Sequence, residues 1–128
     1  MSDPKLLLEN LSILIPSFDR RKILMQNLQF FDGICKVFVC EDTNKDLTTS
    51  ERSQIPNNIE WIISREACED RILTMAQKVE TEFCCLMCDD EILIPESLAV
   101  LVSFLKDNQD FSYANGMAVG FAKNKNRK

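Results

Sequence analysis

Residues 83–95 read FCCLMCDDEILIP: an apolar run, three consecutive acids, and a second apolar run that ends in proline. The run at 83–88 predicts a buried strand, which the acids terminate. Three adjacent carboxylates repel one another unless a cation, a backbone amide or water stabilises them. The stretch therefore predicts a strand that delivers Asp89, Asp90 and Glu91 to a partner.

Three more apolar runs predict strands, and polar residues follow each of them. They are residues 11–16 (LSILIP), 34–40 (ICKVFVC) and 59–63 (IEWII). The C-terminal pieces 111–116 (FSYANG) and 117–121 (MAVGF) predict a last pair of short strands.

Apolar residues at helical spacing predict helices between these strands. One ends at Phe31 before Gly33, a second covers about residues 68–79, and a third starts at Pro95 and ends near residue 107. The polar stretch 41–58 predicts a loop with one helical turn near residues 49–53.

Strands that are apolar nearly throughout, alternating with amphipathic helices, predict a three-layer αβα fold with a mainly parallel, Rossmann-like sheet buried on both faces. Ligands of such sheets bind at the carboxyl ends of the strands. Polar residues just past the strand ends are thus the site candidates: Pro16 with Ser17, Glu41 with Asp42, and Asp89 with Asp90 and Glu91. An exposed edge strand also suggests a homodimer formed through that edge.

The length of 128 residues predicts one domain, residues 1–122, followed by a basic tail at 123–128. The formal charge is −5 although the tail alone carries four positive charges, so the rest of the chain is more acidic still. That acidity argues against a nucleic-acid partner. Because the chain has no long apolar segment and no signal-peptide pattern, we expect no transmembrane segment and a cytoplasmic location.

The chain has six cysteines and no histidine. Most of the cysteines lie in apolar runs of a chain without an export signal, which predicts reduced core residues rather than disulfides. Cys84 and Cys85 point to opposite faces of a strand, so they do not chelate one zinc ion easily. The lack of histidine also excludes imidazole zinc sites and Ser-His or Cys-His catalytic pairs.

The order and spacing of several motifs resemble those of the GT-A fold glycosyltransferases, specifically the family 2-like nucleotide-diphospho-sugar transferases. The motifs are IPSFDRRKIL after the first strand, EDT after the second, EDRIL at the start of a helix, and CLMCDDEILIPESL around the acidic triplet. The resemblance runs from about residue 11 to residue 121. It implies a domain that binds a nucleotide-diphosphate sugar donor and transfers the sugar to an acceptor, which is not identified. Members of that family usually continue into a half that binds the acceptor, so the chain is expected to lack that half.

The resemblance also implies roles for individual residues. Pro16 and Ser17 would contact the nucleotide, and Glu41 or Asp42 would bond the base. Arg71, which opens a helix, would face the donor.

The acidic triplet would correspond to the family's DXD motif. Asp89 and Glu91 would then ligate Mg²⁺ or Mn²⁺, and Asp90 would orient the ribose or the sugar. A hard cation binds carboxylate oxygens and neutralises the charge that develops on a leaving diphosphate. Glu91 departs from the pattern, since an Asp is more usual there. No catalytic base is assigned.

Three basic residues at 20–22 (RRK) predict the exposed side of the first helix, whereas Arg65, which follows a strand, is a better candidate for a phosphate contact. Two alternatives to an enzyme remain. One is a non-catalytic module, a truncated or degenerate glycosyltransferase, that binds a nucleotide sugar or regulates. The other is a receiver-type phosphate-binding domain, against which the lack of a lysine after a late strand counts.

Overall fold

The computed structural model describes residues 3–121. One four-stranded sheet forms the centre of the molecule, with strand order β3-β2-β1-β4 and every pair parallel. The four predicted strands are confirmed, and their bounds are β1 (Leu11–Phe18), β2 (Lys36–Asp42), β3 (Ile59–Ser64) and β4 (Phe83–Leu86).

Five α-helices accompany the sheet: α1 (Pro4–Leu8), α2 (Arg21–Leu28), α3 (Thr49–Gln54), α4 (Cys68–Ala76) and α5 (Pro95–Asp107), with a 3-10 turn at Gln29–Phe31 after α2. The helix α1 was not predicted. Its start is set by Asp3, whose side chain accepts a hydrogen bond from the Lys5 amide, and by Pro4 in the first turn. No helix within residues 3–121 is long and apolar enough to span a bilayer.

Helices cover the sheet on both faces, which confirms the three-layer arrangement. Ile13 and Val37 point to the face packed by α1, α2 and α5. Leu14 and Phe38, the next residues along the same strands, point to the opposite face, where Met75 of α4 packs on them. The alternation is the period of two that a strand imposes on its side chains.

The expectation that all four strands are buried on both faces was wrong for the edges. The central strands β1 and β2 are buried almost throughout. Residues of β3 are mostly half-buried and those of β4 alternate, with Leu86 56% exposed. Each edge strand has a neighbour on one side only. A homodimer through such an edge stays a prediction.

Proline does not stop the first strand, which continues through Pro16 to Phe18. Pairing of β1 with β4 ends at Leu14, whose carbonyl accepts a hydrogen bond from the Met87 amide. The backbone of Pro16, two residues further on, also points toward β4, but β4 ends at Leu86 and has no residue opposite Pro16. The missing N–H of Pro16 therefore costs no ladder hydrogen bond, and the register with Cys40 of β2 is kept.

The prediction of two short strands at 111–116 and 117–121 was wrong, because residues 111–121 form neither strand nor helix. Gly116 and Gly120 interrupt these short runs and lower their β propensity. Their apolar side chains lie exposed, Met117 at 93% and Phe121 at 96%. The predicted basic tail, residues 123–128, lies outside the described residues.

Candidate functional site

A cleft of about 610 Å³ opens at the carboxyl ends of β1 and β2. Its walls come from the turn between β1 and α2, the first turn of α2, the end of β2 with the residues that follow, and the residue after β3. Five of the lining side chains are basic and three are acidic: Arg20, Arg21, Lys22, Lys45 and Arg65, against Asp19, Glu41 and Asp42. The excess of positive charge in an acidic chain suits an anionic ligand.

The turn that opens the cleft contains Asp19 in the left-handed region, with φ of 52°. Asp is among the few residues other than Gly that adopt this conformation readily. The turn reverses the chain so that α2 starts at the sheet edge, and Arg20 is the residue that precedes its first turn.

Asp89 is the centre of a connection between the ends of β1 and β4. Its Oδ2 accepts hydrogen bonds from Ser17 Oγ and from the Phe18 amide, both at 3.1 Å. Its Oδ1 accepts one from Arg20 Nη1 at 3.0 Å. The Asp89 side chain is only 11% exposed, so its charge is compensated inside the protein. Ser17, predicted to contact a nucleotide, holds this carboxylate instead of lining the cleft.

Arg20 binds two carboxylates through one nitrogen. Besides Asp89, Nη1 lies 2.8 Å from Oδ2 of Asp90, whose side chain is 59% exposed. The negative charge of Asp89, more than any other group, raises the pKa of Arg20. Within residues 3–121, Nε and Nη2 of Arg20 have no hydrogen-bond or ion-pair partner, and the side chain is 47% exposed along the cleft.

Glu91 turns back on its own backbone, because Oε2 accepts a hydrogen bond from the Cys88 amide at 3.0 Å. Both oxygens of Asp89 are already bonded as well. In the part of the chain that the structure describes, no three Asp, Glu or Cys side chains converge in a way that could hold a metal ion. This arrangement does not fit a cation shared by Asp89 and Glu91, and the Mg²⁺ or Mn²⁺ site stays a prediction.

Glu41 is buried in a network that supports one wall of the cleft. Its Oε2 accepts hydrogen bonds from Arg21 Nε at 2.9 Å and from Trp61 Nε1 at 3.1 Å. Arg21 in turn donates to the Lys45 carbonyl at 2.7 Å, which fixes the loop after β2. The hydrogen bond with Glu41 raises the pKa of Arg21. Glu41, a candidate to bond the base, therefore already has two side-chain donors.

Asp42 has an oxygen whose capacity to accept a hydrogen bond is not used. Arg65 Nε lies 3.2 Å from Oδ1, which gives this oxygen a charged neighbour. No donor in the described chain forms a hydrogen bond with Oδ1, although the atom is buried. Arg65 itself is 68% exposed. The Asp42 carboxylate and Arg65 thus face each other at the wall of the cleft.

Arg71 lies beneath the sheet edge and does not line the cleft. Its Nη1 donates to the carbonyls of Ser17 at 2.8 Å and Cys40 at 2.9 Å, and its Nε donates to the Glu66 carbonyl at 3.2 Å. The residue is 5% exposed. Arg71 thus joins the ends of β1 and β2.

Of the predicted site residues, the structure brings Glu41, Asp42 and Arg65 to the wall of the cleft, while Asp89 and Asp90 act on it through Arg20. Arg20, Arg21 and Lys22 were predicted to lie on an exposed helix face, and Lys45 was not predicted as a site residue. The sequence did contain a signal for these residues: the basic run 20–22 follows β1, and acids lie at or just past the ends of its neighbours β2 and β4. Because the ends of parallel neighbouring strands lie at one edge of the sheet, these charges could have been predicted to meet there.

No protein-family model matches the chain, and no curated protein sequence matches it. Among solved structures, the chain is similar to CMP:2-keto-3-deoxy-manno-octonic acid synthetase complexed with CTP, at 16% identity and a TM-score of 0.49. The match covers 77% of this chain and 48% of that one, so the chain spans about half the length of that protein. A likeness of this size does not establish a shared activity.

Proposed function

We propose that the chain binds a nucleoside-diphosphate sugar in the cleft at the ends of β1 and β2 and transfers its sugar to an acceptor. The observation that supports this most is the basic lining of the cleft at the edge where parallel α/β sheets bind ligands. A volume of about 610 Å³ is also within the range of about 300–1,000 Å³ that small-molecule sites occupy.

The phosphates and the nucleoside of such a ligand have counterparts in the lining. Arg65 and Lys22 are exposed cations for the phosphates. Asp42 lines the cleft with a side chain that is 25% exposed, and its carboxylate can accept a hydrogen bond from N–H groups of a base or hydroxyl groups of a ribose. Together with the resemblance to GT-A glycosyltransferases, this pairing of donor and acceptor favours a nucleotide over inorganic phosphate.

In the transfer, the bond between the anomeric carbon and the diphosphate oxygen breaks, and the diphosphate leaves with the electron pair. An acceptor oxygen bonds to the same carbon and gives its proton to a base. The residues of the cleft bind and orient the donor, and its cations stabilise the leaving negative charge.

A binding module without transfer is the second candidate, and the pairing of the carboxylates favours it. Asp89, Glu41 and Asp42 each lie against an arginine, an arrangement that fixes their positions. Hydrolysis of the donor, measured with and without Mn²⁺, distinguishes the two candidates, because a module that only binds releases no nucleoside diphosphate.

Isothermal titration with UDP, GDP and CDP and their sugars, each with and without Mn²⁺, tests binding. We expect one nucleotide to bind and Arg65→Ala to weaken it by about tenfold, since a hydrogen bond to a charged group contributes about 1.5–3 kcal/mol. Arg52→Ala is the matched control: this arginine is also exposed and faces one aspartate, but it lies outside the cleft. No binding by any of these ligands would show that the proposed function is wrong.

A further inference from the structure

We infer that Arg20, rather than a divalent cation, supplies the positive charge that receives the diphosphate at the acidic turn. The inference rests on the proposed function, because it identifies the group that binds the ligand's phosphates. It concerns Arg20 together with Asp89 and Asp90.

Arg20 lies where the negative charges of the turn meet the cleft. Its Nη1 is 3.0 Å from Asp89 Oδ1 and 2.8 Å from Asp90 Oδ2. The first contact is a hydrogen bond, and both are ion pairs. The guanidinium thus compensates part of the charge of the two carboxylates from within the chain.

The partners of Asp89 bond both of its oxygens and occupy three of about four lone-pair sites. Ser17 Oγ and the Phe18 amide donate to Oδ2, and Arg20 donates to Oδ1. Glu91 binds the Cys88 amide and does not reach the same point. A divalent cation shared by Asp89 and Asp90 would lie beside Arg20 or displace it, and in both cases the positive charge of the guanidinium would oppose it.

The position of Arg20 also leaves it able to bind a ligand. A guanidinium has five N–H donors in a planar fork, and the two carboxylates occupy only those of Nη1. Nε and the other terminal nitrogen stay available on a side chain that is 47% exposed and lines the cleft. Such a fork matches two phosphate oxygens, and two anchoring carboxylates fix its orientation before the ligand arrives.

The first test uses Mn²⁺ alone, measured by the electron paramagnetic resonance signal of free Mn²⁺. We expect the wild-type protein to bind Mn²⁺ no tighter than about 1 mM, a free energy of roughly −4 kcal/mol. Arg20→Met removes the guanidinium from both carboxylates, and we expect the affinity for Mn²⁺ to rise by about tenfold, since a like charge is removed. If the wild-type protein binds Mn²⁺ with a Kd well below about 1 mM, and Asp89→Asn abolishes that binding, the inference is wrong. This test uses no nucleotide, so its result does not depend on the proposed function.

The second test uses pyrophosphate and the nucleoside diphosphate selected by titration, in buffer with EDTA. We expect binding without metal, weakened about tenfold in Arg20→Met and less in Arg20→Lys, which keeps the charge but loses the fork. Arg52→Met is the control and should change the affinity less than about twofold. Because Arg20 is half-exposed, these variants should fold, and circular dichroism checks that they do.

The substitution Asp90→Asn distinguishes a phosphate site formed by Arg20 from one formed by a divalent metal, because the two predict opposite changes in the affinity for pyrophosphate. If Arg20 contacts the phosphates, removing the neighbouring anion strengthens binding about two- to fivefold at low salt. If a metal bridges Asp90 and the phosphates, the same change weakens binding.

Binding that requires Mn²⁺ would overturn this inference and leave the proposed function standing. If Arg20→Met does not weaken pyrophosphate binding, the inference is wrong, and Arg20 only connects the turn after β1 with the acidic turn after β4. An absence of binding by any phosphate ligand would overturn both proposals.

Discussion

Arginine residues at the edge of the sheet divide according to what their nitrogen atoms contact. Arg71 is buried and uses its donors on backbone carbonyls of β1 and β2, whereas Arg65 is exposed and faces one carboxylate. A buried guanidinium that donates to three backbone carbonyls stabilises the fold. An exposed one beside a cleft is available to a ligand.

Arg71→Met is expected to lower the free energy of unfolding by about 3 kcal/mol, because hydrogen bonds from a charged donor contribute about 1.5–3 kcal/mol each and water replaces only part of them. Urea denaturation followed by circular dichroism measures the loss. Arg52→Met, at an arginine that is 60% exposed, should change stability by less than about 0.5 kcal/mol. A loss below about 1 kcal/mol for Arg71→Met would contradict the structural role.

The identity of the site residues was only partly predictable from the sequence. The acids at the strand ends could be located because each follows an apolar run. Which arginine neutralises which acid could not, since Arg20 and Asp89 are 69 positions apart and meet only because β1 and β4 are neighbours. Arg71 was assigned to the ligand because sequence does not distinguish a buried guanidinium from an exposed one.

Among the helices, α3 has no buried residue and depends on its N-terminal cap. Thr48 Oγ1 accepts a hydrogen bond from the Glu51 amide at 3.2 Å, and the Glu51 carboxylate accepts one from the Thr48 amide at 2.7 Å. This reciprocal pair is a capping box, which satisfies two N–H groups that the helix leaves free.

Thr48→Ala is expected to destabilise α3 by about 1 kcal/mol, the usual cost of losing such a cap. Amide hydrogen exchange at Arg52, whose N–H bonds the Thr48 carbonyl, should then be about fivefold faster. Thr48→Ser keeps the hydroxyl and should exchange like the wild type. Equal rates in Thr48→Ala and the wild type would mean that the cap does not limit the opening of α3.

The same cap has a defined pH dependence. The hydrogen bond from the Thr48 amide lowers the pKa of Glu51. A carboxylate with a lowered pKa in the folded state stabilises the fold above its unfolded pKa, and that stabilisation is lost as pH falls through the lowered value. The difference in the Arg52 exchange rate between Glu51→Gln and the wild type should therefore be present at neutral pH. It should disappear once the pH lies below the lowered pKa of Glu51, which is itself below the ordinary pKa of a glutamate.

Strands were more predictable than the C-terminal segment for a physical reason. The core strands are apolar at nearly every position, because helices cover both of their faces, and that pattern is visible in the sequence. Residues 111–121 contain aromatic and β-branched residues too, but a strand needs a neighbour to pair with. Local composition does not show whether that neighbour exists.

Across the whole molecule, charge and burial separate the cleft from the core. The chain is acidic overall, yet its cleft is lined by five basic side chains, and α4 and α5 cover opposite faces of the sheet behind it. The six cysteines are distributed through these layers, all as free thiols. The rate at which each thiol reacts with a reagent in solution should therefore report whether that cysteine is buried or exposed.

Labelling with a disulfide reagent such as DTNB at pH 8, resolved by mass spectrometry, tests this arrangement. The exposed thiols of Cys68, Cys84 and Cys88 should react first. Cys88 should be the slowest of the three, because burial and the nearby Glu91 raise its pKa and leave less thiolate. Its rate should rise as the pH is raised.

Cys35 and Cys40 should stay unreacted until urea unfolds the protein, since both are buried near the central strand β2. Burial raises the pKa of Cys35 to about 12, so almost no thiolate exists at pH 8 even when the reagent approaches. Only global unfolding removes both barriers, and the midpoint of Cys35 labelling in urea should coincide with that of circular dichroism. Labelling of Cys35 in native buffer at the rate of Cys68 would contradict the burial of that region beneath α2.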